Sequence, residues 1–131
     1  MKKIKFLIFT LSILLFNNCE KESYELGDII NPTDLTISAV IQGADENNPY
    51  GDGSGYVTFT ANAADAITYK FIQNGVDYMQ PSGVFTTRFT TTGIHIYDID
   101  VIASGTAGEI TSASISVEVL YTFEPPADLV A

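Results

Sequence analysis

Much of what this sequence excludes follows from what it has little of. Among 131 residues there is no Trp, one Cys and one His. A single cysteine, Cys19, rules out a disulfide within the chain. A single imidazole, His95, cannot build a zinc site, which takes further His or Cys ligands. No Ser or Thr stands in a distinctive arrangement with it that would mark a nucleophile and its base. Positive charge is scarce too, with 6 Lys and Arg against 16 Asp and Glu, and Lys2, Lys3 and Lys5 crowd the N-terminus. Past residue 18 only Lys21, Lys70 and Arg88 stand against the 16 carboxylates, a balance of −13. So acidic a chain is repelled by a polyphosphate backbone, which sets nucleic acid aside as a partner. Nor is there an apolar run long enough to cross a bilayer, which takes about 20 residues.

The longest apolar run, Phe6 to Phe16 (FLIFTLSILLF), has the surroundings of an export signal. It follows a basic head and ends at the polar pair Asn17-Asn18, just before Cys19. A buried N-terminal helix is the poorer reading, because the run is apolar on every face and lacks an acidic N-cap. An intermolecular disulfide at Cys19 has no supporting feature, and a catalytic thiol needs a neighbouring base and a formed pocket. Lipid attachment is the reading left. The stretch LLFNNCEKE, Leu14 to Glu22, resembles a bacterial lipoprotein signal, in which cleavage precedes a cysteine that becomes the acylated first residue. Asn18 stands where such signals usually carry Gly, Ala or Ser, and Phe16 where they usually carry Leu. Glu20-Lys21-Glu22 resembles the acidic surface-export signal of Bacteroidota-like lipoproteins. The resemblance implies a signal peptide over residues 1–18, a lipid on Cys19, and an exported protein held in the outer membrane at the cell surface. Several acyl chains anchor stably, since each buried CH₂ contributes roughly 0.8 kcal/mol.

Residues 19–33 are charged and broken by Gly27 and Pro32, as expected of a short acidic tether. From there the pattern alternates. Leu35, Ile37, Ala39 and Ile41 share a face, as do Val57, Phe59 and Ala61, then Ile67, Tyr69 and Phe71, then Phe85, Thr87 and Phe89. His95, Tyr97, Ile99, Val101 and Ala103 continue it, followed by Ala113, Ile115, Val117, Val119 and Tyr121. Period two with β-branched and aromatic enrichment predicts half-buried strands. Turn formers separate them, and Asn74-Gly75 between two extended runs predicts a hairpin. The fold class expected is all-β: an antiparallel sandwich of about seven strands over residues 34–122, followed by a Pro-rich linker or tail over 123–131.

Arg88 to Ala103 (RFTTTGIHIYDIDVIA) resembles the late strands of a PKD domain, an Ig-like sandwich. His95 takes the usual Tyr slot and Tyr97 the Val slot. The family's Trp-x-Phe-Gly-Asp-Gly turn is represented by Tyr69-Lys70-Phe71-Ile72-Gln73-Asn74-Gly75, which keeps only its aromatic positions and final Gly. The resemblance covers roughly residues 35–121 and implies a spacer or interaction module, of a kind that often sits beside glycan-handling domains.

Candidate sites are few. Asp45, Asn47 and Asp52 lie in the stretch richest in oxygen donors, DENNPYGDGSG, and are the candidate calcium ligands. Pro49 and Tyr50 interrupt the usual loop spacing and no bidentate Glu follows, so consecutive turns are the competing reading. Tyr50, Tyr56 and Tyr78 are the candidate aromatic patch for a glycan. Asp98 and Asp100, roughly 7 Å apart by strand rise, form a carboxylate pair of the kind glycosidases use, but a solvated sheet face accounts for them better. His95 is expected to face the core near the sandwich end. The resulting expectation is a non-catalytic, lipid-anchored surface module with no required cofactor. Its partners are the membrane through the lipid and an adjoining domain or a polysaccharide.

Overall fold

The computed structural model describes residues 29–123. The residues expected to form the signal, Cys19, most of the expected tether and the Pro-rich stretch after Phe123 lie outside the described residues. The described chain is a seven-stranded, all-antiparallel β-sandwich without a helix: β1 (Thr33–Ile41), β2 (Tyr56–Ala64), β3 (Thr68–Gln73), β4 (Val76–Met79), β5 (Val84–Arg88), β6 (Gly93–Ser104) and β7 (Ile110–Tyr121). One sheet has the order β1-β2-β5 and the other β4-β3-β6-β7. This order fits an Ig-like sandwich, in which strands adjacent in sequence divide between two sheets.

The alternation in the sequence is what closes the two sheets on each other. Val57, Phe59 and Ala61 of β2 meet Tyr69 and Phe71 of β3 and Ile99, Val101 and Ala103 of β6, all buried. Phe85 is the centre of the aromatic packing, with ring centroids 5.2 Å from Phe71, 4.8 Å from Tyr78 and 6.3 Å from Phe59. Ig-like sandwiches commonly bury a Trp on the third strand; here that strand offers Tyr69 and Phe71. Tyr69 anchors its polar end, accepting a hydrogen bond from the Ala63 amide at 2.9 Å.

The Asn74-Gly75 hairpin forms as expected. Both residues have positive φ, 51° and 76°, and Gln73 pairs with Val76 across them. A two-residue turn with φ > 0 at both central positions matches the right-handed twist of its strands, and Asn-Gly meets that demand at least cost. β4, the second arm of that hairpin, has no buried face to alternate, because all four of its residues are exposed at a sheet edge. Two details depart from the sequence reading. Ile67, expected inward, is 56% exposed because it precedes β3 in the turn after β2. The sandwich also begins slightly ahead of residue 34, with Pro32 fully buried and Thr33 already in β1.

The registers give the sandwich two distinct ends. Thr33 pairs with Ala64, Thr68 with Ser104 and Ser104 with Ile110, and the Thr111 hydroxyl donates to the Pro32 carbonyl at 2.7 Å. Those residues form the entry end. At the other, Ile41 pairs with Val57, Tyr56 with Arg88 and Gly93 with Tyr121. The described chain enters at one end and leaves at the opposite one. Twelve residues of β7 at about 3.3 Å each put roughly 40 Å between them.

Candidate functional site

The site is built at the exit end. The Gly43–Gly55 connection does not float there. The Gln42 amide donates to the Tyr56 carbonyl at 2.9 Å and the Asp52 amide to the Gln42 carbonyl at 3.0 Å. The Leu120 amide donates to the Tyr50 carbonyl and the Thr122 amide to the Gly53 carbonyl, both at 2.9 Å. The long loop is thus laced onto the end of β7. Gly55 makes the closest approach: its φ is +79°, its carbonyl accepts from the Phe89 amide at 2.9 Å, and a Cβ there would collide with the Phe89 carbonyl oxygen.

These contacts bring Arg88 into an aromatic frame. Arg88 ends β5 directly opposite Tyr56, on the outer face of the three-stranded sheet. Its guanidinium carbon lies 5.1 Å from the Tyr56 ring centroid and 5.5 Å from that of Tyr121, within cation–π range. Its Nε–H donates to the Ser54 carbonyl at 2.9 Å. Asp52, Gly53, Ser54, Arg88, Tyr121 and Thr122 line an open cavity of about 260 Å³. The Ser54 side chain and its amide, which donates to the Asp52 carboxylate at 2.9 Å, hold the Asp52 pKa below the ordinary value of 3.8. Among the described residues the ion pair is Lys70 with Asp77, at 3.2 Å. Arg88 has no carboxylate within ion-pairing reach there. The arrangement offers a planar donor edge, an ionised acceptor and hydroxyls. It is a set suited to holding a polar ligand.

The expected site residues divide. Tyr56 is part of the frame, and Tyr50 contributes its backbone next to it. Tyr78 does not join them. It lies on β4 of the other sheet, where its exposed ring stacks on Phe85 at the sheet edge, away from Arg88. Asp45 is a turn acceptor: its Oδ1 takes hydrogen bonds from the Asn47 amide at 2.8 Å, the Asn48 amide at 2.7 Å and the Asn48 side-chain amide at 3.3 Å. Asp52 is occupied similarly, by the Ser54 amide at 2.9 Å and the Gln42 side chain at 3.4 Å. Among the described residues no three His, Cys, Asp or Glu side chains gather into a metal cluster. Asp45 Oδ1 and the Asp52 carboxylate thus hold turns of the loop.

Asp98 and Asp100 face solvent and accept from the hydroxyls of Ser116 and Ser114 across the β6–β7 pair. His95 needs a correction. It occupies the inward-facing register, but β6 runs past the end of the core, so the ring is exposed and its Nε2 lies 3.0 Å from the Thr92 carbonyl oxygen. Tyr97, two residues on, is the first of that row to reach cover, stacking on Phe89 at 3.8 Å.

Arg88, Ser54, Tyr121 and Thr122 were not among the expected site residues. The one signal in the sequence was Arg88 itself, a rare cation in an acidic chain. Its partners lie 34 residues back at Ser54 and on the last strand, and only the sheet registers bring them together. Comparison with protein-family models, with curated proteins and with solved structures finds no match.

Proposed function

We propose that this chain is a non-catalytic, lipid-anchored module of the outer membrane, displayed at the cell surface as a spacer or interaction domain of PKD/Ig-like type. The observation that carries this reading is the position of the two described ends. The chain enters the sandwich at Pro32 and leaves it beside Tyr121 at the opposite pole. A module inserted this way holds whatever follows or binds it roughly 40 Å from its point of entry. Cys19, ten residues ahead of the first described residue, is the anchor in this account, and the acidic surface keeps the body off an anionic membrane. The test is intact mass spectrometry of the protein from bacterial membranes, beside Cys19→Ser. The expected result is an acylated N-terminal cysteine in the membrane fraction and release of the variant into the soluble fraction. An unmodified Cys19, or cleavage elsewhere, overturns it.

A second reading, glycan binding in support of polysaccharide capture, is favoured by the Arg88 cavity. An aromatic ring, an arginine, an ionised carboxylate and two hydroxyl side chains around one opening match what a sugar's hydroxyls need. Affinity electrophoresis through a panel of polysaccharides separates the two: retardation supports binding, and none leaves the spacer alone.

A further inference from the structure

We propose that the Arg88 cavity takes a single carboxylate carried on a sugar ring, a uronic-acid residue on an otherwise uncharged glycan. This rests on the glycan-binding reading and names its ligand class. A guanidinium has five N–H donors in a rigid fork that matches a carboxylate. At Arg88 only the Nε–H is engaged, by the Ser54 carbonyl. The terminal nitrogens have no acceptor among the described residues. Tyr56 and Tyr121 fix the guanidinium from its sides, so the fork is held in place before a ligand arrives, which reduces the ordering cost of binding.

Asp52 sharpens the assignment. An arginine with a purely structural role in so acidic a chain has many carboxylates to pair with. Asp52 lines the same cavity, yet its oxygens turn to Ser54 and Gln42, and no carboxylate among the described residues neutralises Arg88. A uronate answers both groups, with its carboxylate on the Arg88 fork and a ring hydroxyl donating to Asp52. The Ser54 and Thr122 hydroxyls border the same space. The volume of about 260 Å³ lies just under the range of drug-sized pockets, which suits one ring rather than an extended oligosaccharide. The overall charge selects further. A polyanion brings many charges against a surface with a balance of −13 beyond residue 18, whereas one isolated carboxylate meets chiefly the nearby arginine, within a Debye length of about 8 Å.

The test is NMR titration of the full-length, detergent-solubilised protein with methyl glucuronide, methyl glucoside, acetate and polygalacturonate. The expected order has the glucuronide binding at least about ten-fold more tightly than the glucoside, acetate and polygalacturonate, with shifts centred on Gly53, Ser54 and Thr122. Arg88→Lys keeps the charge and stem but loses the fork, and should weaken the glucuronide about ten-fold. Asp52→Asn should weaken the glucuronide while leaving acetate unchanged. Glucoside binding equal to glucuronide, indifferent to Arg88→Lys, overturns the carboxylate while the glycan reading survives. Acetate as tight as glucuronide overturns the sugar, and tighter polygalacturonate overturns the single charge. No binding by any of the four, in a chain also unretarded by polysaccharides, removes the glycan reading itself.

Discussion

Two tyrosines of this sandwich should respond to the same substitution with opposite signs. Tyr97 is half-buried, its ring stacked on Phe89 at 3.8 Å, and its hydroxyl is shut away from solvent without a hydrogen-bond partner among the described residues. A buried donor left unsatisfied costs about 1–3 kcal/mol of desolvation. Tyr97→Phe removes that hydroxyl and keeps the stack, so it should stabilise the fold by about 1 kcal/mol. Tyr69 is the counterpart. Its hydroxyl accepts from the Ala63 amide at 2.9 Å and reaches the Ala63 carbonyl at 3.4 Å. Tyr69→Phe deletes those bonds and leaves a backbone amide unpaired, costing about 1–2 kcal/mol. In a domain of this size 1 kcal/mol moves Tm by about 4–8 °C, so the two variants should bracket the parent by a resolvable interval. Urea denaturation followed by far-UV circular dichroism, backed by thermal melts, measures both. A Tyr97→Phe protein destabilised by more than about 0.5 kcal/mol refutes the reasoning, because ordinary surface changes fall within that bound.

Further substitutions probe other parts of the account. Gly75→Ala meets no atom within 4 Å but forces an L side chain to φ 76°, so the expected cost is the conformational penalty alone, about 1–2 kcal/mol by denaturation. Gly55→Ala adds a collision with the Phe89 carbonyl and should cost clearly more, with amide exchange rising at Phe89. Phe71→Ala opens a cavity at a fully buried position beside Phe85 and should cost about 3–5 kcal/mol. Because the folded-state pKa of Asp52 lies below the ordinary 3.8, its ionised form favours the fold above that value. That contribution is lost as pH falls through the folded pKa. Asp52→Asn should therefore flatten the decline of Tm with acid below about pH 4, and an unchanged slope counts against the loop geometry.

The sandwich was largely legible because its core strands are regular. Val57-Phe59-Ala61 and Ile99-Val101-Ala103 alternate without interruption, and Asn74-Gly75 names its own turn. Legibility failed where a residue's surroundings are set by position rather than by pattern. β4 was legible only through its turn, since it has no buried residue to alternate. His95 keeps the right parity, but parity does not say where the core stops. The site was the least legible part. Tyr56, Arg88 and Tyr121 belong to three strands, and their meeting depends on the pairing of Tyr56 with Arg88 and the bridge from Ser54 to Tyr121. The aromatic patch expected from Tyr50, Tyr56 and Tyr78 divided because Tyr78 stacks on Phe85 at the edge of the other sheet.

The central claim is that a sandwich anchored at one end presents the Arg88 end away from the membrane. It is tested most directly by fluorescence quenching on vesicles. Membrane-purified protein carrying a fluorophore at Thr106→Cys, beside the entry end, or at Thr122→Cys, at the Arg88 cavity, is reconstituted with headgroup-labelled quencher lipids. Strong quenching at position 106 and little at 122 is the expected result. Equal quenching at both, or the reverse order, contradicts the account.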